Sequence, residues 1–256
     1  MDAASPIVKF TSLQKRYGEG PVVLEDISLA AAPGDFISLI GPSGCGKSTI
    51  LKLVSGLSPG TSGSVEVLGT RPKLARDRQA FIFQDATLLP WLTAQRNAEL
   101  PLRLRGVGRR ERAVRAAEMM ALVGLEKYRA YYPRQLSGGM KMRVSIARAL
   151  TSAPDLLLLD EPFGALDEMT RNRLNEELLT LRERSRFTAL FVTHSVSEAV
   201  FLSNRILVMA ANPGRFHAEI AVGFPYPRRP ELRHEAAFQA KVNEVSRALH
   251  QVEVTP

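Results

Sequence analysis

The segment Gly41-Pro42-Ser43-Gly44-Cys45-Gly46-Lys47-Ser48-Thr49 fits the pattern G-x-x-x-x-G-K-[ST]. Its glycines let the backbone bend until successive N–H groups converge on phosphate oxygens. A helix opening at the lysine adds unpaired N–H groups and its positive dipole end. Lys47 supplies a mobile positive charge for terminal phosphates, and the Ser48 hydroxyl is an oxygen ligand for Mg²⁺. The flanks agree: Phe36-Ile37-Ser38-Leu39-Ile40 reads as a buried strand before the loop, and Ser48 to Leu57 as a helix after it, ended by Gly56 and Pro59. A second apolar run, Asp155 to Asp160, ends in Asp160 and Glu161, and strand ends in open α/β sheets are where ligands sit. This strand is expected beside the loop's own strand. Asp160 then holds Mg²⁺, directly or through water, and Glu161 polarises or deprotonates a water facing the terminal phosphate.

Positioning these groups requires a particular set of elements. Ile7 to Tyr17 and Val22 to Ala30 alternate apolar and polar, with the turn Gly18-Glu19-Gly20 between them, and predict an antiparallel hairpin. Gln79 to Phe83 reads as a strand. The stretch 84–136 reads as a helical insertion carrying helices Ala94 to Arg105 and Arg109 to Val123. Ser137-Gly138-Gly139 opens a helix to Leu150, and Asp167 to Ser185 and Ser195 to Leu202 are further helices. Phe187 to Thr193 and Arg205 to Ala210 are strands. Continuous apolar strands alternating with helices predict an α/β fold with a mostly parallel sheet covered on both faces. Past Asn212 the chain turns rich in Pro and Arg, and residues 212–256 read as an extension ending in a helix from about Glu235 to Leu249.

With 256 residues, 45% of them hydrophobic, the chain suits one domain with an inserted lobe. Its single cysteine excludes a disulfide framework and fits a reducing compartment. Met1-Asp2-Ala3-Ala4-Ser5-Pro6 lacks the pattern of a signal peptide, and no apolar run approaches the roughly 18 residues of a membrane span. A net charge of +8 attracts nucleic acid, anionic headgroups and phosphorylated ligands alike.

The segment Leu136-Ser137-Gly138-Gly139-Met140-Lys141-Met142-Arg143, upstream of Leu156 to Pro162, decides among these. With the phosphate loop it resembles the ATP-binding subunit of ATP-binding cassette (ABC) transporters, over nearly all of Ile7 to Ala210. The resemblance implies a P-loop NTPase fold with an antiparallel β lobe and a helical insertion, in a nucleotide-binding domain over 1–211. It also implies MgATP hydrolysis at a head-to-tail dimer. Each ATP is then held by one copy's phosphate loop and by the Ser137-Gly138-Gly139 helix start of the other, a second anion-facing helix N-terminus. The implied partners are a second copy, integral-membrane permease subunits and, indirectly, an extracytoplasmic solute-binding protein. The implied location is the cytoplasmic membrane face, with no nucleic acid.

Residue by residue, the resemblance sets Tyr17 against adenine, where the alternative is an ordinary strand tyrosine. Gln84 contacts Mg²⁺ and the water and signals to the membrane domain. Gly164-Ala165-Leu166-Asp167 crosses the dimer interface, with a plain helix cap as the alternative for Asp167. His194 contacts the γ-phosphate, with a satisfied core histidine as the alternative. Met140 stands where glutamine is usual, and Ser195 and Ser197 where acids often follow the histidine. Ser-Gly-Gly-Met, together with Phe83-Gln84-Asp85 and Leu88-Leu89-Pro90-Trp91-Leu92-Thr93, is similar to importers of nitrate, taurine and aliphatic sulfonates.

The competing class is a soluble ABC ATPase acting on nucleic acid or ribosomes, which usually needs two cassettes or a large coiled-coil insertion. A small-molecule P-loop kinase has no use for Ser137-Gly138-Gly139. The arginines at 103, 105, 109, 110, 112 and 115 read as a solvated face, and Trp91 as partly buried insertion core. Cys45, beside Lys47 and a helix N-terminus, reads as a reactive thiol, with packing into the helix as the inert alternative.

Overall fold

A computed structural model of the chain describes residues 5–164 and 166–254; Met1 to Ala4 of the N-terminal reading and Ala165 of the interface loop lie outside them. Strands β1 (Val8–Arg16) and β2 (Val22–Ala31) form the expected antiparallel hairpin. A strand not anticipated, β4 (Ser62–Val67), pairs with β1 on its other side and completes a three-stranded lobe.

The larger sheet contains β3 (Phe36–Ile40), β5 (Gln79–Ile82), β6 (Leu156–Asp160), β7 (Thr188–Val192), β8 (Arg205–Ala210) and β9 (Arg215–Ala221), in the order β5-β6-β7-β3-β8-β9. Its first five strands run parallel and β9 is antiparallel at the edge. The strand carrying Asp160 and Glu161 is therefore not beside the loop's strand as expected, because β7 lies between them. Side chains alternate faces along each strand: Leu156 and Leu158 join the core shared with the β lobe and helix α1 (Lys47–Val54), whereas Leu157 and Leu159 join the core beneath the other helices. Burial on both faces is why these strands read as continuous apolar runs.

The insertion folds as α2 (Ala94–Leu104) and α3 (Arg109–Leu122), packed on α4 (Gly138–Leu150). Buried Asn97 accepts a hydrogen bond from Leu89 N at 2.8 Å and donates to Leu89 O, Leu92 O and Thr93 O, while Arg148 donates to Ala86 O and Thr87 O. Together they pin the segment after Gln84. Trp91 is left 68% exposed on it, contrary to the buried position expected, because these bonds hold the backbone rather than the ring. The arginine face is solvated in large part, with Arg112 paired to Glu99 at 3.4 Å and Arg115 to Glu111 at 3.5 Å.

Helices α5 (Glu168–Ser185), α6 (Val196–Leu202) and α7 (Ala236–Val254) complete the body. The stretch past residue 211, expected as an extension, supplies β9 to the sheet and buries Phe238 and Val245 of α7 in the main core. Between them, Arg228 closes the C-terminal end of α6, donating to Val200 O, Phe201 O and Ser203 O at 2.9, 2.8 and 2.9 Å, and the Tyr226 hydroxyl donates to Leu202 O at 2.6 Å. Burial lowers the Arg228 pKa to about 10. Among the described residues no helix is long and apolar enough to cross a membrane.

Candidate active site

The phosphate loop leaves the end of β3 and enters α1. At Gly46, φ is +99°, and an added Cβ would lie 2.4 Å from Leu24 Cδ2, so a side chain is excluded by conformation and by space. Lys47 is buried, and its ammonium donates to Gly41 O at 2.8 Å and Pro42 O at 2.9 Å. The loop residues Ser43, Gly44, Gly46, Lys47, Ser48 and Thr49 line one wall of a cleft of about 220 Å³, with Glu161 and His194 opposite.

The opposite wall comes from two adjacent strand ends. Glu161, just past β6, has φ +49°, a left-handed conformation costing about 1–3 kcal/mol in a residue with a side chain. It is held there by Glu161 N donating to Val192 O at 3.0 Å and Gly164 N donating to Glu161 O at 3.1 Å. The turn aims its carboxylate at His194, with Oε1 2.7 Å from Nε2. Gln84 joins Glu161, Gly164 and His194 around an adjoining cavity of about 240 Å³.

Ser48 Oγ donates to Asp160 Oδ1 at 2.8 Å, so the start of α1 reaches the end of β6 although β3, which leads into the loop, and β6 are not neighbours. Burial pushes the Asp160 carboxyl up, against the Ser48 hydrogen bond, and the nearby Glu161 charge adds to the rise. A hydroxyl and a carboxylate side by side are hard oxygen donors and fit Mg²⁺. Among the described residues no group of three or more His, Cys, Asp or Glu gathers as a metal site. Mg²⁺ bound largely through water and substrate phosphates needs none.

Other expectations divide. Cys45 is fully buried, and desolvation raises its pKa despite Lys47, whose ammonium lies 3.7 Å from Sγ. This geometry supports the inert reading over the reactive one, because the thiol packs into the core and desolvation outweighs the pull of Lys47. Tyr17 lies one residue past β1, half exposed, under the Lys15 ammonium at 4.3 Å from the ring centroid. Ser137 caps α4 by accepting from Met140 N at 3.3 Å; Ser137 and Gly138 are exposed and Gly139 is half-buried. The three sit apart from this chain's own phosphate cleft, beside the start of α5, where a Cβ on Gly139 would be 3.1 Å from Thr170 Cγ2. Asp167 caps α5, and the Thr170 N–H it accepts lowers its pKa.

Sequence reasoning missed Arg171, which donates to Leu166 O at 2.8 Å and steadies the loop before α5, and Gly214, whose N–H donates to Val23 O at 2.9 Å behind the phosphate loop. Both act through backbone carbonyls, which leave no mark in a motif.

Comparison with known proteins adds to this geometry. A family model described as ABC transporter matches residues 24–164. The chain is 47% identical over 220 residues to an aliphatic sulfonates import ATP-binding protein SsuB of Bacillus cereus, covering 86% of each chain. The chain belongs to the ABC transporter family. This ABC cassette is also 45% identical over 223 residues to SsuB of Bacillus subtilis (strain 168), covering 87% of this chain and 85% of the relative. The dimeric post-hydrolysis structure of the ATP-binding cassette MJ0796 bound to ADP and Pi matches it with a TM-score of 0.75 and 34% identity, over 85% of this chain and all of the other. The chemistry of the ABC cassette is the binding and hydrolysis of ATP.

Proposed function

We propose that the chain hydrolyses MgATP as the cytoplasmic, membrane-peripheral subunit of an importer for a small anion, an aliphatic sulfonate before nitrate or taurine. In this reading two copies close head to tail on two ATP molecules. They dock on permease subunits fed by an extracytoplasmic solute-binding protein. The observation that carries the catalytic part is the Glu161 carboxylate facing the phosphate loop across one cleft, oriented by His194 at 2.7 Å. The names of the relatives support the solute class, and the start of α4, with Ser137 and Gly138 exposed and none of Ser137-Gly138-Gly139 lining the chain's own cleft, supports the shared site.

The steps follow from the residues. Loop N–H groups and the α1 N-terminus receive the β- and γ-phosphates, and Lys47 exchanges the Gly41 and Pro42 carbonyls for phosphate oxygens. Ser48 and Asp160, with the Gln84 amide, would hold Mg²⁺, which supplies neutralising charge at those phosphates. Glu161 takes a proton from the water that attacks the γ-phosphorus, ADP leaves, and His194 Nε2 turns from Glu161 to a γ-phosphate oxygen. In the same reading Tyr17 would stack on the adenine ring, and Asp167 with its loop would meet the second copy.

Growth tests the solute class. A deletion strain should lose growth on an alkanesulfonate as sole sulfur source, keep growth on sulfate, and recover with the intact gene. Undiminished growth on sulfonate, with loss instead on nitrate or taurine, would reassign the solute.

A further inference from the structure

His194 sits between two residues that answer to one buried carboxylate. Glu198, on the first turn of α6, is 6% exposed. The Thr193 hydroxyl donates to its Oε2, Asn175 Nδ2 donates to Oε1 at 3.3 Å, and Arg171 Nε lies 3.9 Å from Oε1. On the other side of His194, Ser195 N donates to Thr193 Oγ1 at 3.0 Å, and Ser195 Oγ accepts from Glu198 N at 3.3 Å.

Ser195-Val196-Ser197-Glu198 has the S-x-x-E spacing in which the acid normally bonds the cap residue's own N–H. Here the Thr193 hydroxyl is interposed: the cap N–H reaches Thr193 Oγ1, and that hydroxyl reaches Glu198. The relay encloses His194 in a short closed loop of hydrogen bonds, and its far end is anchored on α5 through Asn175 and Arg171. A solvated acid cap would have no need of burial, and desolvating a carboxylate is unfavourable unless its partners are fixed.

We propose that Thr193 and Glu198 are positioning residues for His194, holding its ring where Nε2 meets Glu161. The proposal rests on the role given to His194 above. Both line the cavity of about 240 Å³ that Gln84, Glu161 and His194 share, but of that group Glu161 and His194, not Thr193 and Glu198, also line the phosphate-loop cleft, so the double variant with His194 separates an effect through the ring from a direct one. Once the turn is loosened, the half-exposed imidazole samples orientations that miss both Glu161 and the γ-phosphate.

The test uses the full chain with MgATP. Thr193→Val keeps shape and removes the hydroxyl. It should lower kcat about tenfold with KM for ATP changed less than about twofold, and Thr193→Ser should restore most of the rate. Glu198→Gln, which keeps an oxygen for Thr193, should be milder than Glu198→Leu. In a His194→Ala background, Thr193→Val should add less than about twofold, because the two act as one unit. Nucleotide-free NMR gives a readout apart from activity: the His194 ring signal should move in Thr193→Val while those of His217, His234 and His250 stay. A folded Thr193→Val chain with full kcat and an unmoved His194 signal overturns the proposal, as do losses that multiply with His194→Ala. A His194→Ala chain of normal activity, with the ring signal still moved by Thr193→Val, upholds the positioning and overturns the role of His194 instead.

Discussion

In the proposed mechanism Lys47 and Glu161 divide binding from chemistry. The lysine, which donates to Gly41 O and Pro42 O, would exchange these carbonyls for phosphate oxygens, whereas Glu161 would act only on the water. Glu161→Gln should therefore reduce steady-state hydrolysis by roughly 10²–10⁴ while ATP affinity, measured by calorimetry, stays within about twofold. A variant turning over at more than half the parent rate would remove Glu161 as the base. Cys45 makes a second residue-scale test. Lys47 and the helix N-terminus pull its pKa down, but burial pushes it up and prevails. Timed maleimide labelling read by intact mass should be slow with and without MgATP, and rapid labelling of the empty protein would show that the loop opens. The thiol's direction was not legible in the sequence, since the motif fixes a position and not the face a side chain takes.

The elements flanking the site show what a sequence displays and what it conceals. The α/β alternation, the phosphate loop between β3 and α1, and the helix starting after Ser137 were readable because buried parallel strands and helix caps have strong local signatures. β4 was not, because Ser62-Gly63-Ser64 is exposed and pairing with β1, not its own pattern, makes it a strand. β9 was hidden in a Pro/Arg-rich stretch for a similar reason: an edge strand alternates weakly and takes its register from β8. The sheet order was also beyond reach, and β7 took the place expected for the strand of Asp160. Gly214, between β8 and β9, shows how such an element touches the site. It bonds β2 through Gly214 N to Val23 O and Glu25 N to Gly214 O, and an added Cβ would stand 2.1 Å from Cys45 O and 2.8 Å from Val23 O. Both neighbours are backbone, so Gly214→Ala must displace the phosphate loop or β2. ATP affinity should fall by about tenfold or more, some 1.4 kcal/mol, in equilibrium titration. An unchanged Kd would show that the loop tolerates the shift.

At the scale of the whole molecule, Ser137, Gly138 and Gly139 are not among the residues lining the chain's own cleft, and Ser137 and Gly138 are exposed. If a second copy supplies them, ATP becomes the adhesive between copies, and binding to the closed state alone draws the equilibrium toward it. Light scattering of Glu161→Gln protein should give a monomer mass without nucleotide and a dimer mass with excess MgATP; a constant monomer mass would count against the shared site. On the arginine face Arg112 and Arg115 pair with acids of the same insertion. Arg228 has a consequence of another kind. The helix it closes follows the His194 turn, yet its last carbonyls accept from Tyr226 and Arg228, in a segment made later by the ribosome. During synthesis the end of α6 therefore waits for Arg228 to close it, and the phosphate loop waits for Gly214 to back it, so both walls of the site are completed only as the chain past residue 211 emerges and docks.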